Sequence, residues 1–156
     1  MKAVIALLAG ASILALSVAV SAQDNAQQPS GSPQEEPYAP SLSDIMAHQQ
    51  ERHIKLWFAG HAGNWPLADY EIGELSDGFD EIGKMLGGAI VKQHVGAALD
   101  ALQKAVNGKD SAAFVAAYDE LGAGCNACHH TLDHAFIVIA RPTGLPFSDQ
   151  VFGPPK

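Results

Sequence analysis

The chain has 156 residues, 47% of them hydrophobic, and a formal net charge of −8 at pH 7. That length suits one domain of ordinary size. The acidic balance disfavours a nucleic-acid partner, whose footprint would be a basic face, and suits a positively charged partner without naming one.

Residues 1–22 have the form of a secretory signal peptide. Lys2 is a short positive start, Ala3 to Val20 is apolar, and Val20-Ser21-Ala22 supplies small residues for cleavage before Gln23. No Cys follows the apolar run, which argues against a lipoprotein anchor. The run is near the length of a short spanning helix, so an uncleaved anchor is the alternative. Cleavage leaves a mature chain of about 134 residues, more acidic by the loss of Lys2, exported to the periplasm and without a membrane span.

Residues 23–40 are a linker. The stretch contains four prolines and almost nothing apolar, so it cannot bury enough surface to offset the entropy of ordering. Four helices are then predicted across residues 41–141. Ser41 or Ser43 caps the first, with Asp44 in its first turn. Its inward face is Leu42, Ile45, Met46, Gln49, His53, Leu56 and Trp57, and it stops at Gly60 after Ala59. Asn64 caps the second, with Pro66 in its first turn. Leu67, Tyr70, Ile72, Leu75, Phe79, Ile82, Met85 and Leu86 are read as its apolar positions. Glu71, Glu74, Asp77, Asp80 and Glu81 are read as a solvated outer face.

Gly87-Gly88 breaks that pattern. The third helix covers about Ala89 to Val106, with Ile90, Val91, Val95, Ala98, Leu99, Leu102 and Val106 inward, and Asn107-Gly108 ends it. Asp110 caps the fourth, which carries Phe114, Val115, Tyr118 and Leu121 and is predicted to run through Leu132, Ala135 and Phe136 to Ile139 before Pro142. Residues 136–139 also read as an extended strand, but nothing nearby offers a partner strand. Residues 142–156 form a loop tail, either frayed or pinned to the body by Phe147 and Phe152. Four helices with short connections and no strand pattern make an all-α chain folded as an up-down-up-down four-helix bundle.

The fourth helix holds both cysteines in Cys125-Asn126-Ala127-Cys128-His129. This C-x-x-C-H spacing reads as covalent haem attachment. Two thiols three positions apart can each add to one vinyl group, and the following His supplies an axial nitrogen to the iron. The alternatives are a redox pair, a structural disulfide or half a zinc site. The first needs a βαβ context that is missing, and the last needs further ligands. An export signal agrees with haem c, since this attachment happens outside the bacterial cytoplasm.

A signal peptide, four helices and one such motif late in the fourth helix resemble the cytochrome c′ family. Small cytochromes c of the ordinary kind carry the motif near their N-terminus and need a Met well downstream, and no Met follows Met85. The resemblance covers about Ser41 to Ile139 and is specific only at the motif. It implies one covalent haem c in the core near the end of the fourth helix, with thioethers at Cys125 and Cys128 and His129 as axial ligand. It also implies a possible homodimer. Asp133 stands where the family usually has Arg or Lys four residues after the axial His, and residues 52–60, Arg-His-Ile-Lys-Leu-Trp-Phe-Ala-Gly, suggest a divergent branch.

The sixth position of the iron separates two functions. His53 and Met46 are the candidate sixth ligands, seven positions apart on one face of the first helix, or roughly 10 Å. With the first and fourth helices antiparallel and the fourth ending near Ile139, His129 falls level with His53 rather than Met46. A filled sixth position predicts single-electron transfer with redox partner proteins. An open one predicts binding or sensing of nitric oxide or carbon monoxide. His130, His134, His94 and His61 read as surface or pocket-rim residues. Arg52, Lys55 and Arg141 are candidates to neutralise haem propionates. No nucleophile–base set or Gly-rich phosphate loop is present, so no enzymatic activity is expected.

Overall fold

A computed structural model describes residues 38–154; the expected signal peptide and most of the expected linker lie outside them. Four helices follow in order: α1 (Leu42–His61), α2 (Trp65–Leu86), α3 (Gly88–Gly108) and α4 (Ser111–Thr131). There is no strand among the described residues, and none of their helices is long and apolar enough to cross a membrane.

Three of the four helices begin where a capping side chain predicts, and α3 starts at Gly88 without one. Ser41 and Asp44 form a reciprocal capping box on α1. The Asn64 side chain accepts the Leu67 N–H, with Pro66 in the first turn of α2. The Asp110 carboxylate accepts the N–H groups of both Ala112 and Ala113 at 3.0 Å. These caps satisfy N–H groups that a helix start leaves without partners. The left-handed residue that closes α3 is Lys109, at φ 53°, one position beyond the expected Asn107-Gly108 turn.

Consecutive helices pack against one another along their lengths, whereas α1 and α4 touch much less. The inward face of α1 is the expected one: Ile45, Gln49, His53, Leu56 and Trp57 are buried, with Leu42 and Met46 partly covered. Two expectations for α2 are corrected. Tyr70 and Met85 point outward, and Glu71 is buried. The inward stripe of α2 runs through Ala68, Glu71, Ile72, Leu75, Gly78 and Ile82. At 3.6 residues per turn, Glu71 lies between Ala68 and Leu75 on that stripe, whatever its charge.

Two glycines set helix separations. A Cβ on Gly60 would fall within the Phe114 ring, so that ring from α4 packs directly on the α1 backbone. A Cβ on Gly124 would collide with the main-chain carbonyl of His94, so the backbones of α3 and α4 approach closely just before the first cysteine. The contacts Gly60–Phe114 and His53–Tyr118 run in opposite chain directions, so α1 and α4 are antiparallel.

The end of α4 differs from expectation. It stops at Thr131, eight residues before Ile139. Asp133 takes a left-handed conformation at φ 60°, which its short polar side chain tolerates better than most. The His134 N–H closes the turn onto the His129 carbonyl at 2.7 Å. The β-branched run Ile137-Val138-Ile139 gains little from a helix and continues as irregular chain. That chain turns back along α4 and then reaches α1. Arg141 pairs with Asp119 and lies 4.6 Å over the Trp57 ring. Phe147 lies under the Lys55 ammonium at 4.9 Å, and Phe152 is buried against Phe58. The Asn64 side chain donates to the Gly153 carbonyl at 2.9 Å. Of the two readings of the tail, the pinned one holds: the segment straps the side of the bundle where α1 and α4 pack least.

Candidate functional site

Cys125, Cys128 and His129 project from the penultimate and last turns of α4. Positions three and four apart in a helix are neighbours, so one short stretch of α4 presents both sulfurs and the imidazole. Both thiols are free. Burial pushes the Cys125 thiol up to about 11, with Cys128 adding to the effect, and burial also raises Cys128. Both are therefore protonated at neutral pH. An activated redox pair needs the opposite, a lowered thiol pKa in an electropositive setting.

His129 is oriented by the strap. Its Nδ1 lies 2.9 Å from the Ile137 main-chain carbonyl. A carbonyl only accepts, so Nδ1 carries the proton and donates it. In the neutral ring, Nε2 is then left as an unprotonated lone pair. A ligating His commonly has this arrangement, with the far nitrogen held by an outer hydrogen bond.

His53 has a different setting. Its ring is stacked on Tyr118 at 4.4 Å between centroids. The Tyr118 hydroxyl lies 2.9 Å from the His53 carbonyl and 2.8 Å from His53 Nδ1. The hydroxyl has one proton, and the carbonyl needs a donor. Both contacts are satisfied when Tyr118 donates to the carbonyl and accepts from Nδ1–H. His53 Nε2 is then an acceptor, and it is the one buried side-chain polar atom without a partner among the described residues. Desolvation lowers the His53 pKa to about 4, so the ring is neutral. It borders an open cleft of about 280 Å³, with Tyr118, Gly122, Asn126, Ile139 and Arg141 around it. Tyr118→Phe removes one partner from two buried groups at once. It is expected to cost about 3 kcal/mol of unfolding free energy, and a loss below about 0.5 kcal/mol in urea titration would show that the hydroxyl does not serve both.

The partnership with Tyr118 sets the level of His53 along α4. Tyr118 lies eleven residues before His129 on α4, roughly 16 Å along the axis. Two imidazoles sharing one metal ion between them need nitrogens about 4 Å apart, twice a usual metal–nitrogen distance. The expected level match counted back from a helix end at Ile139, and the actual end at Thr131 removes that basis. Stepping back along antiparallel α1 from the His53–Tyr118 and Gly60–Phe114 contacts brings His129 level with Leu42 to Ile45, and Cys125 level with Met46 to Gln49.

The other candidates are spread out. Arg52 is paired with Glu74 at 2.8 Å and donates to the Glu74 carbonyl. Lys55 is paired with Glu51 at 2.7 Å, and Arg141 with Asp119. Each cation proposed for propionates thus already has a carboxylate. His61 stacks on Trp57 at 5.3 Å, while His130 and His134 are exposed and His94 half-buried. Sequence reasoning missed Asn126, whose side chain holds the backbone of Ile139 by two hydrogen bonds. Its position inside the motif was visible, but its partner thirteen residues on was not. No group of three or more His, Cys, Asp or Glu side chains suited to a metal ion occurs among the described residues.

The chain matches no protein-family model, no curated protein and no solved structure.

Proposed function

We propose that this protein is an exported c-type cytochrome, with one covalently attached haem and a role in single-electron transfer to redox partner proteins. The observation that carries the reading is the state of His129. Its Nδ1–H is engaged by the Ile137 carbonyl, and its ring shares one short stretch of α4 with two free, protonated thiols, one adjacent in sequence and one a helical turn back. Cys125 and Cys128 would each add S–H across a vinyl group, sulfur bonding to one carbon and hydrogen to the other, and His129 Nε2 would be the axial donor. Bound haem supplies an iron that changes oxidation state by one electron. The exposed side chains of Phe136 and Val138, on either side of Ile137, are apolar surface of the kind that such a group would cover.

In this reading Met46 would be the second protein ligand of the iron, because it lies within about a turn of the level of His129. The experiment is expression with a haem-maturation system, followed by intact mass and visible spectra. The wild-type chain is expected to gain the mass of one haem. The Cys125→Ser/Cys128→Ser variant should lose all covalent pigment. Unchanged wild-type mass, with the chain folded, overturns the reading.

One observation favours a second reading. Leu42 and Ile45 are the apolar residues of α1 nearest the level of His129, and an apolar side chain there would leave a bound iron open to nitric oxide or carbon monoxide. A high-spin spectrum of the oxidised protein, unchanged by Met46→Leu, selects this reading. A low-spin spectrum that Met46→Leu converts to high-spin selects electron transfer.

A further inference from the structure

The chain beyond α4 is tied at two neighbouring points to the helical turn that bears the cysteines. Asn126 Nδ2 donates to the Ile139 carbonyl at 2.9 Å, and Asn126 Oδ1 accepts the Ile139 N–H at 2.7 Å. Only Val138 separates this clamp from Ile137, whose carbonyl accepts the His129 Nδ1–H at 2.9 Å. On its other side, Ile137 donates its N–H to the His134 carbonyl at 2.9 Å. The carbonyl that meets His129 is therefore held from both directions, and the distal hold is a side chain from within the motif itself. Asn126 does not touch His129 and has no contact that would make it a ligand.

We infer that Asn126 is a positioning residue for His129: by clamping Ile139 it fixes the Ile137 carbonyl, which holds His129 as the Nδ1–H tautomer with the Nε2 lone pair available. The amide suits this task because it offers a donor and an acceptor on one planar group, matching the C=O and N–H of a single residue. Without the clamp, residues 137–139, all exposed or half-exposed and apolar, have no side-chain hold between the His129 contact at Ile137 and the Arg141–Asp119 pair. A firm Nδ1–H bond to a carbonyl also makes an imidazole a stronger donor at its other nitrogen. The inference rests on the haem reading only for the use made of that lone pair; the tautomer itself belongs to the haem-free chain.

The test uses the full chain without haem, in alkaline buffer where imidazoles are neutral. Nitrogen-15 NMR should show His129 with an unprotonated Nε2, while the exposed His130 serves as the internal reference for an unbound ring. In Asn126→Ala the His129 signals are expected to move toward those of His130. The Ile139 amide should exchange its hydrogen at least about fivefold faster. Asn126→Asp, which keeps the acceptor but not the donor, should fall between the two. Alanine is a better helix former than asparagine, and circular dichroism checks that α4 persists. If Ile139 exchange accelerates while His129 stays fully Nδ1–H, Asn126 only fastens the strap and the inference is wrong. It is equally wrong if wild-type His129 already gives the mixed signals of a free ring. In protein loaded with haem, Asn126→Ala should raise the reduction potential, because a weaker imidazole donor stabilises ferric iron less. A wild-type chain that takes up no haem would remove the function proposed above and leave the tautomer result as it stands.

Discussion

Gly124→Val is expected to destabilise the bundle by about 3 kcal/mol or more. The reason is local and rigid. A Cβ at Gly124 meets the main-chain carbonyl of His94 on α3, and a backbone oxygen in the middle of a helix has no rotamer by which to yield. The helices must separate, which loosens the packing of Leu121 and Val95 on either side of the contact, both of them core residues. Ala123→Val is the matching control. Ala123 is exposed on the same helix, so it reports only the β-branch penalty, about 0.5 kcal/mol. Urea unfolding of both variants measures the difference, and equal midpoints would mean that α3 and α4 are not held at this distance. The position also lies immediately before Cys125, so a folded Gly124→Val chain should show altered exposure of that thiol to alkylation.

The second large effect appears as a pH dependence that one substitution uncovers. Two buried groups oppose each other. Burial lowers the pKa of His53 from 6.5 to about 4. Its contribution is fully present above the unfolded value and is lost as pH falls from 6.5 through 4, because the unfolded chain binds the proton that the folded chain refuses. The full loss is about 3 kcal/mol. Burial raises Glu71 from 4.5 to about 7, against the pull of Lys55 and Arg52 and with Glu74 and Glu51 adding to the rise. Its contribution is present below 4.5 and is lost as pH rises through 7, because the unfolded chain releases a proton that the folded chain keeps. The two windows overlap between 4.5 and 6.5 with opposite slopes. Wild-type stability is therefore expected to be nearly flat there. Glu71→Gln removes one slope and leaves the other, so this variant should lose about 3 kcal/mol between pH 6.5 and 4. A variant whose profile stays flat across that interval would show that His53 is not held neutral by its surroundings, which are Tyr118 on α4 and the Arg141–Asp119 pair at the cleft.

Both effects involve residues whose roles the sequence states only in part. Ser41, Asn64 and Asp110 were legible as helix starts because a cap acts on N–H groups two or three residues away. The core faces of α1 and α3 were legible for the same local reason, a period of 3.6. The charge of Glu71 suggests a solvated position, although Ala68, Ile72 and Leu75 already define the buried stripe on which it lies. The end of α4 was not legible because the apolar run from Ala135 to Ile139 resembles a helix continuing to the next proline. What ended the helix was the left-handed turn at Asp133, together with a competing use for the Ile139 backbone on Asn126.

Within the candidate site, the chemistry of Cys125, Cys128 and His129 is present in five consecutive letters, since a helix alone brings such positions to one side. Four helices and their order follow from the sequence on the same footing, from signals that act over a few residues. The partner of His53, the level of α1 that faces His129, and the strap that orients its imidazole were decided by the tertiary structure. Each joins positions separated by eight to eighty-nine residues, and no local periodicity or capping rule carries the distance between two helices or the path of a chain folding back across them.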